Sequence, residues 1–280
     1  MKTVTIVGVG LIGGSFALAL RKAGYQGNIL GVSSPDTIRE AEMRGVIDKG
    51  VTLEEALSVT DLVYLAQPIH GILQTLEKIE SFDRVGILYT DAGSTKTSII
   101  RNAQKFVKKG KFLGGHPMAG KESRGVENAD ADLFRGRTYV LTPEQAEDLD
   151  TPVTSVFLKW LERIGANVKL LSPEQHDRIV ALTSHLPQLL STALAATVDE
   201  QIDSDRDALE VSGSGLRDMT RLALSSFDIW HDILVTNQAE IDHALVLYID
   251  KLERIRQNLT NLQLCEEFTV AADVARRLRR

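Results

Sequence analysis

A histidine in the stretch GGHPMAG, residues 114–120, is flanked by residues that shape the backbone instead of packing a core. Gly114 and Gly115 permit a close approach to a neighbour, because they lack side chains. Pro117 biases His116 toward an extended conformation. An imidazole titrates near neutral pH and serves as a general base in many enzymes. The pattern therefore predicts that His116 is presented for chemistry at the end of a strand.

Ser94 and His185 are further candidates, and each has an ordinary structural alternative. Ser94 follows a glycine in DAGSTK, residues 91–96, where a strand is expected to give way to a helix. A serine there is first of all a helix N-cap, although its hydroxyl can also bind a neighbour. His185 stands in TSHLP, residues 183–187. For this histidine, a core position with satisfied hydrogen bonds is the alternative to a binding role.

The stretch GLRDMTR, residues 215–221, places two arginines on one face of a predicted helix. Like charges at this spacing repel each other unless carboxylates lie nearby. Asp218 can pair with Arg221, and a substrate carboxylate can pair with the planar guanidinium of Arg217. The glycine-rich approach to this helix favours a binding role over a solvated surface pair.

The stretch GVGLIG, residues 8–13, fits the GxGxxG signature of a dinucleotide-binding loop. It follows an expected strand and opens an expected helix, which is the context that the signature requires. Gly8 makes the tight turn, Gly10 lets the backbone approach a diphosphate, and Gly13 allows helix and strand to pack. Further cofactor contacts are expected from the start of the helix and from the turn after the strand DLVYLA: Leu11, Ile12, Gln67 and Pro68.

The choice between NADP and NAD depends on the end of the second strand. An NAD site usually carries an acidic residue there, and this chain has Ser33. A serine does not repel a 2′-phosphate and can donate to it, with help from Ser34, Thr37 and Arg39. These residues favour NADP. Asp36 keeps NAD as an alternative, because a loop can bring its carboxylate back to the ribose.

Two patterns divide the chain near residue 170. Short β-branched runs alternate with helical stretches up to that point, which predicts a doubly wound, mostly parallel sheet of the Rossmann type over residues 1–170. Residues 171–280 read as helices only, with a kink expected at Pro187. We expect this second domain to bind substrate and to form a homodimer, because its helices carry more apolar surface than a lone bundle would bury: Ile241, Leu245, Tyr248 and Leu252.

Composition limits the partners and the compartment. The net charge of −6, from 32 Lys+Arg and 38 Asp+Glu, argues against general affinity for nucleic acid or an anionic membrane. Cys265 is the one cysteine in the sequence, which excludes an internal disulfide and fits a cytoplasmic protein without a zinc site. We expect no metal and no apolar run of the ~20 residues that a membrane span needs. The glycine-broken N-terminus predicts a folded strand rather than a signal peptide.

The motifs GxGxxG, DAGSTK, GGHPMAGKE, SPEQHD, TSHLP and GLRDMTR, in this order, resemble the TyrA family of prephenate and arogenate dehydrogenases. The resemblance implies oxidative decarboxylation in tyrosine synthesis, with the nicotinamide held between the two domains of a dimer. It implies that His116 is the base and that Ser94 orients it. It further implies a substrate pocket formed by His185, Arg217, Arg221 and Trp230, with Glu122 and Asp218 in ionic links to Arg221.

The substrate is either arogenate, with an amino acid side chain, or prephenate, with a keto acid. An acidic residue near the ammonium group would favour arogenate, and Asp177 or Glu122 could serve. The expected NADP preference also leans toward arogenate by family association. Two alternatives stay open: a β-hydroxyacid dehydrogenase, which would use a lysine of the helical domain where this chain has His185, and a non-catalytic NADP-sensing regulator.

Overall fold

The computed structural model describes residues 1–121, 123–202, 209–261 and 264–279. Its centre is an eight-stranded sheet with the strand order β3-β2-β1-β4-β5-β6-β7-β8. All neighbouring strands are parallel except β6 and β7. The strands are β1 Thr3–Val7, β2 Asn28–Val32, β3 Lys49–Gly50, β4 Leu62–Leu65, β5 Leu88–Asp91, β6 Lys111–Pro117, β7 Thr138–Thr142 and β8 Asn167–Leu170.

Helices cover both faces of this sheet, because alternate residues of a buried parallel strand point to opposite sides. On β4, Tyr64 packs in one core with helices α1, α2 and α6, and its neighbour Val63 packs in the other with α3, α4 and α5. The ring of Phe16 on α1 stacks on Tyr64 at 4.0 Å between centroids. The six helices are α1 Leu11–Lys22, α2 Pro35–Met43, α3 Leu53–Val59, α4 Ile69–Ile79, α5 Thr97–Phe106 and α6 Pro152–Ile164.

Every described element after β8 is helical. Ile233 and Ile241 of this part pack into the core that α4 and α5 form with the sheet. The helices are α7 Pro173–Val180, α8 Leu186–Gln201, α9 Ser214–Thr220, α10 Phe227–Thr236, α11 Gln238–Gln257 and α12 Leu264–Arg277. The doubly wound sheet and the helical C-terminal part confirm the predicted fold class.

A π-helical turn, Ala181–His185, joins α7 to α8 in front of Pro187. Pro187 cannot donate the backbone hydrogen bond of a regular helix, and π turns of this kind are frequent at functional sites. The helical run Pro173–Gln201 is continuous, and its irregular part is the π-helical turn just before Pro187. Ser172 caps its start by accepting from the amide of Gln175, as its position before Pro173 suggests.

Three details differ from the sequence-based expectations. Strand β3 was not predicted, because two residues are too few to show a pattern. The run Pro173–Gln201 is long and apolar enough to cross a membrane by length and composition, where no such run was expected. A single helix of this kind is weak evidence for a membrane span, since a core helix of a globular protein has the same length and composition. Ile241, expected on the dimerising face, is buried within the chain, whereas Leu252 is 47% exposed.

Candidate active site

The turn between β1 and α1 has the geometry that a dinucleotide needs. Gly8 has φ +91°, and a Cβ there would lie 2.8 Å from the backbone of Ala66 and Gln67. A Cβ at Gly10 would meet nothing within 4 Å, so the backbone faces open space. Gly10 is also the N-cap of α1 and offers no side-chain cap to the first-turn amides. These amides can therefore bind the diphosphate of a nicotinamide dinucleotide.

A cleft of about 430 Å³ begins at this turn. It runs past the loops that follow β4, β5 and β6 to the first turn of α10, which belongs to the helical part. This position, at the carboxyl ends of parallel strands, is where open α/β sheets bind ligands. Its lining includes Gly10, Leu11, Ile12, Gln67, Pro68, Gly93, Ser94, Lys121, Arg124 and Asp228.

The residues expected to choose the cofactor lie at the end of β2. Ser33 is exposed directly after the strand. Ser34 caps α2 by accepting from the amide of Thr37, and the two hydroxyl oxygens lie 2.9 Å apart. The guanidinium of Arg39 pairs with the carboxylate of Asp36 on the exposed surface of α2.

His116 is the next-to-last residue of β6, at the strand end where it was predicted. A Cβ at Gly115 would come within 2.6 Å of the Asp91 carbonyl oxygen, so only glycine lets β6 and β5 approach here. His116 is partly buried, and its Nδ1 lies 2.8 Å from Nε2 of His176 on α7. One ring nitrogen of the predicted base is therefore engaged with a residue of the helical part.

His176 is held in turn by the residue that follows it. Its Nδ1 lies 2.8 Å from Oδ1 of Asp177, and both side chains are buried. The same carboxylate accepts the amides of Lys96 at 2.7 Å and Thr97 at 2.8 Å. Burial raises the pKa of Asp177, but hydrogen bonds from His176, Thr97 and Lys96 outweigh burial and hold the pKa below its ordinary value. Asp177 is therefore a buried carboxylate that stays ionised.

A fully buried ion pair lies where β5 and the loop after it, which carries Ser94, meet β6, which carries His116. The ammonium of Lys96 donates to Oδ2 of Asp91 and to the carbonyl of Gly115, the latter at 2.7 Å. Asp91 also accepts the amides of Gly93 at 2.8 Å and Gly115 at 3.0 Å. This pair therefore fixes the loop after β5 relative to the strand that carries the base.

Burial lowers the pKa of His116 well below its ordinary value, and the nearby His176, Lys96 and His185 lower it further. A base with a depressed pKa is unprotonated at neutral pH. His116 therefore has a lone pair available for a proton, which is the state that a general base requires.

His185 ends the π turn in a buried position. Asn237 donates its side-chain amide to the carbonyl of Asp177 at 2.9 Å, and the same nitrogen lies 3.2 Å from Nδ1 of His185. Nδ1 of His185 thus accepts, and the remaining proton of the neutral ring is on Nε2. Burial lowers the pKa of His185 to about 4, against the attraction of Asp177. Trp230 contacts this ring edge-on, 5.8 Å between centroids.

The structure places the other predicted site residues apart from one another. Ser94 lines the cleft but forms no hydrogen bond with His116 among the described residues. It does not cap α5, because the N-cap is Lys96 and Asp177 binds the free amides. Arg217 and Asp218 are exposed on α9, and neither they nor Arg221 line the cleft as described. Glu122 lies outside the described residues.

Sequence reasoning missed His176, Lys96 and Asp91. His176 stands in SPEQHD, and only its neighbour Asp177 was considered. Lys96 offered a second signal, because this charged residue ends the segment DAGSTK, which lies between two apolar stretches of the sequence. Without the fold, neither residue could be told from an ordinary surface side chain, because lysine is almost never fully buried unless it is paired.

The turn after β1 has free amides for a diphosphate, and His116 lies at the end of the strand that leads to the cleft residues 119–121, although it is not itself among the residues that line the cleft. These features are typical of a nicotinamide-dependent dehydrogenase. Two family models match the chain: the prephenate dehydrogenase nucleotide-binding domain over residues 16–170, and the prephenate dehydrogenase dimerization domain over residues 172–270. The chain belongs to the prephenate dehydrogenase family. The expected oxidoreductase of tyrosine biosynthesis is confirmed at the level of the family.

Individual relatives agree with this assignment. The chain is 33% identical over 267 residues to the prephenate dehydrogenase of Lactococcus lactis, covering 94% of this chain and 71% of the relative. The prephenate dehydrogenase of A. aeolicus, solved with hydroxyphenyl propionate and NAD+, aligns with a TM-score of 0.90 at 30% identity over 100% and 99% of the two chains. The Synechocystis arogenate dehydrogenase aligns with a TM-score of 0.81 at 30% identity, covering 99% of each.

Proposed function

We propose that the protein oxidises and decarboxylates a cyclohexadienol substrate, arogenate in preference to prephenate, with NADP in preference to NAD. The observation that carries the reaction is His116, a neutral ring tied through Nδ1 at the strand end that leads into the cleft. Burial lowers the pKa of His116 and keeps its ring unprotonated, and its fixed position suits removal of a hydroxyl proton. A metal has no part in this proposal.

His116 takes the proton of the ring hydroxyl on Nε2, the nitrogen that does not contact His176. A nicotinamide dinucleotide held by the amides after Gly10 would supply the hydride acceptor for the ring carbon that carries the hydroxyl. The bond to the ring carboxylate then breaks, carbon dioxide leaves, and the electron pair of that bond enters the ring. The ring becomes aromatic, and its oxygen takes the proton back from His116. Ser94 lines the cleft, and the family resemblance assigns its hydroxyl to orient the base and the substrate hydroxyl, although it forms no hydrogen bond with His116 among the described residues. His185, Arg217, Arg221 and Trp230 hold the substrate, with Asp218 and Glu122 in ionic links to Arg221.

Charge in the cleft supports arogenate. Asp177, considered above for the ammonium group, already accepts three hydrogen bonds from the protein and is buried. Asp228 is exposed instead. Among the described residues that line the cleft, Asp228 carries a carboxylate, and Lys121 and Arg124 are cations. Both substrates carry two carboxylates, and arogenate adds an ammonium that Asp228 can bind.

The end of β2 supports NADP, because Ser33 places a hydroxyl rather than a carboxylate there. The counterargument is Asp36, two residues into α2 and paired with Arg39. A Ser33→Asp variant tests the preference: we expect the ratio of kcat/KM with NADP to kcat/KM with NAD to fall at least about tenfold, or about 1.4 kcal/mol. A wild-type enzyme that already prefers NAD would reject this assignment.

The first experiment mixes the purified protein with arogenate or prephenate, each with NADP+ or NAD+, and follows the absorbance of the reduced nicotinamide. We expect the highest kcat/KM with arogenate and NADP+. An Asp228→Asn variant should then lose affinity for arogenate about tenfold more than for prephenate, since prephenate has no ammonium. Equal losses would remove Asp228 from the substrate site.

Activity in none of the four mixtures would discard the dehydrogenase proposal. Oxidation of simple β-hydroxyacids would then support the hydroxyacid dehydrogenase alternative, and cofactor binding without turnover would support the sensing alternative.

We further propose that the enzyme is a cytoplasmic homodimer joined through the helical part. The supporting observations are the match to a dimerization domain and apolar side chains that the single chain leaves exposed, such as Phe227 at 66% and Val235 at 63%.

A further inference from the structure

With both histidine rings neutral, the hydrogen-bond partners of Asp177 leave one arrangement of their protons. Two backbone amides, of Lys96 and Thr97, donate to its carboxylate, and an ionised carboxylate has no proton to give. His176 Nδ1, 2.8 Å from Oδ1, must therefore carry a proton and donate it. In a neutral ring, the other nitrogen of His176 is then an acceptor.

The same reasoning extends one ring further. His176 Nε2, as an acceptor, lies 2.8 Å from Nδ1 of His116, so Nδ1 of His116 carries the proton of this contact. The neutral His116 ring then has its lone pair on Nε2. The partner of one ring nitrogen commonly sets which nitrogen of a histidine is protonated, and here that partner is set by Asp177.

We propose that His176, held by Asp177, is a positioning residue that fixes His116 with its proton on Nδ1 and presents Nε2 as the base. This inference rests on the proposed function of His116. When Nε2 takes the substrate proton, the new positive charge on His116 is met through His176 by the Asp177 carboxylate. That carboxylate is anchored at the N-terminus of α5 by two amides, so it does not need to reorganise during the reaction.

The tautomer can be observed directly in the resting protein. Long-range ¹H–¹⁵N spectra of protein labelled with ¹⁵N-histidine resolve protonated from unprotonated ring nitrogens, and a His116→Asn variant assigns the His116 signals among the six histidines. We expect a protonated Nδ1 and an unprotonated Nε2 on His116. A His116 ring protonated on Nε2, or a His176 ring protonated on both nitrogens, overturns the proposal.

Two substitutions of His176 separate positioning from packing. His176→Leu removes the acceptor, and we expect kcat to fall on the order of 10²-fold with KM within a few-fold, together with a shift of the His116 proton from Nδ1 toward Nε2. His176→Gln supplies an amide oxygen as acceptor, and it should restore most of kcat and the original tautomer. Equal kcat values for both variants, with the wild-type tautomer in both, would reduce His176 to a packing residue.

The matched control is His243→Gln, an exposed histidine on α11. It should leave kcat and the His116 signals unchanged. Thermal unfolding of each variant shows whether a loss of kcat follows a loss of structure. The spectra do not need substrate, so a wild-type protein with the expected tautomer and no turnover would fail the proposed function while leaving the tautomer assignment intact.

Discussion

Two regions expected to serve the same substrate have opposite surroundings. Around His116, the polar side chains of three elements are buried and joined to one another: Asp91, Lys96, His176 and Asp177. On α9, Arg217 and Asp218 are exposed and do not line the cleft. The polar side chains of the first region are buried and hydrogen-bonded to one another, whereas those of the second are exposed.

This difference separates two tasks of an enzyme. A base must have a fixed position, a fixed tautomer and a controlled pKa, and these need buried, mutually satisfied partners. A side chain that binds a carboxylate of the substrate needs charge and reach, and an exposed arginine provides both until a ligand or a second subunit covers it. Substitutions in the buried region should therefore affect folding and turnover, and those on α9 should affect substrate binding.

Lys96→Met carries the largest expected effect, because it leaves the Asp91 carboxylate buried without its partner. Breaking a buried ion pair in this way costs about 3–5 kcal/mol. Urea unfolding should show this loss in the free energy of unfolding. Arg39→Met breaks the exposed pair with Asp36 and is the control, with no measurable change expected. Equal effects of the two substitutions would contradict the contrast drawn between buried and exposed charges.

His116→Asn should reduce kcat on the order of 10²-fold or more, equivalent to about 2.7 kcal/mol on the barrier, with KM within a few-fold. Asparagine keeps a polar side chain but cannot take the proton. Steady-state kinetics with the preferred substrate and cofactor measure the effect. Turnover close to that of the wild type would mean that another group is the base.

Acid should lower the free energy of unfolding through the buried histidines rather than through the exposed ones. Burial lowers the pKa of His116 well below 6.5 and that of His185 to about 4, so the unfolded chain binds protons first as pH falls. Stability conferred by the neutral rings is thus present above pH 6.5 and is lost as pH falls toward about 4. We expect a loss of about 1–2 kcal/mol for each of the two rings between pH 6.5 and pH 5, measured by urea unfolding.

A His185→Asn variant should show a shallower loss of stability over this range, because it removes one of the two depressed titrations. The exposed His243 provides the comparison, since His243→Gln should retain the full pH dependence. Identical curves for the wild type and the His185 variant would show that His185 is not held neutral by the fold.

Arg217→Gln has the smallest expected effect and tests the exposed region. If this side chain binds a substrate carboxylate, KM should rise about tenfold, or about 1.4 kcal/mol, with kcat within threefold. The free energy of unfolding should not change, because the side chain is exposed. A loss of kcat with an unchanged KM would place Arg217 with the reacting groups instead.

The elements that follow local rules were predictable. The GxGxxG turn, the β-branched strands and the helix start at Ser172 each depend on backbone conformation within a few residues, and the structure has them where the sequence indicated. The two-residue β3 was missed because its pairing with β2 is set by neighbours, not by its own pattern. The role of Ser94 as a helix cap was wrong because Asp177, 80 residues away from Thr97, supplies that cap.

By itself, the sequence determined the class of fold, the nucleotide-binding turn, the family and the presented histidine. Only the tertiary structure decided which side chains set the state of that histidine. His176 and Asp177 reach His116 because α7 packs against α5 and β7. Lys96 is buried because Asp91 of β5 and the Gly115 carbonyl of β6 both accept from its ammonium. Hydrogen bonds and burial fix tautomers and pKa values, and both depend on neighbours distant in the chain.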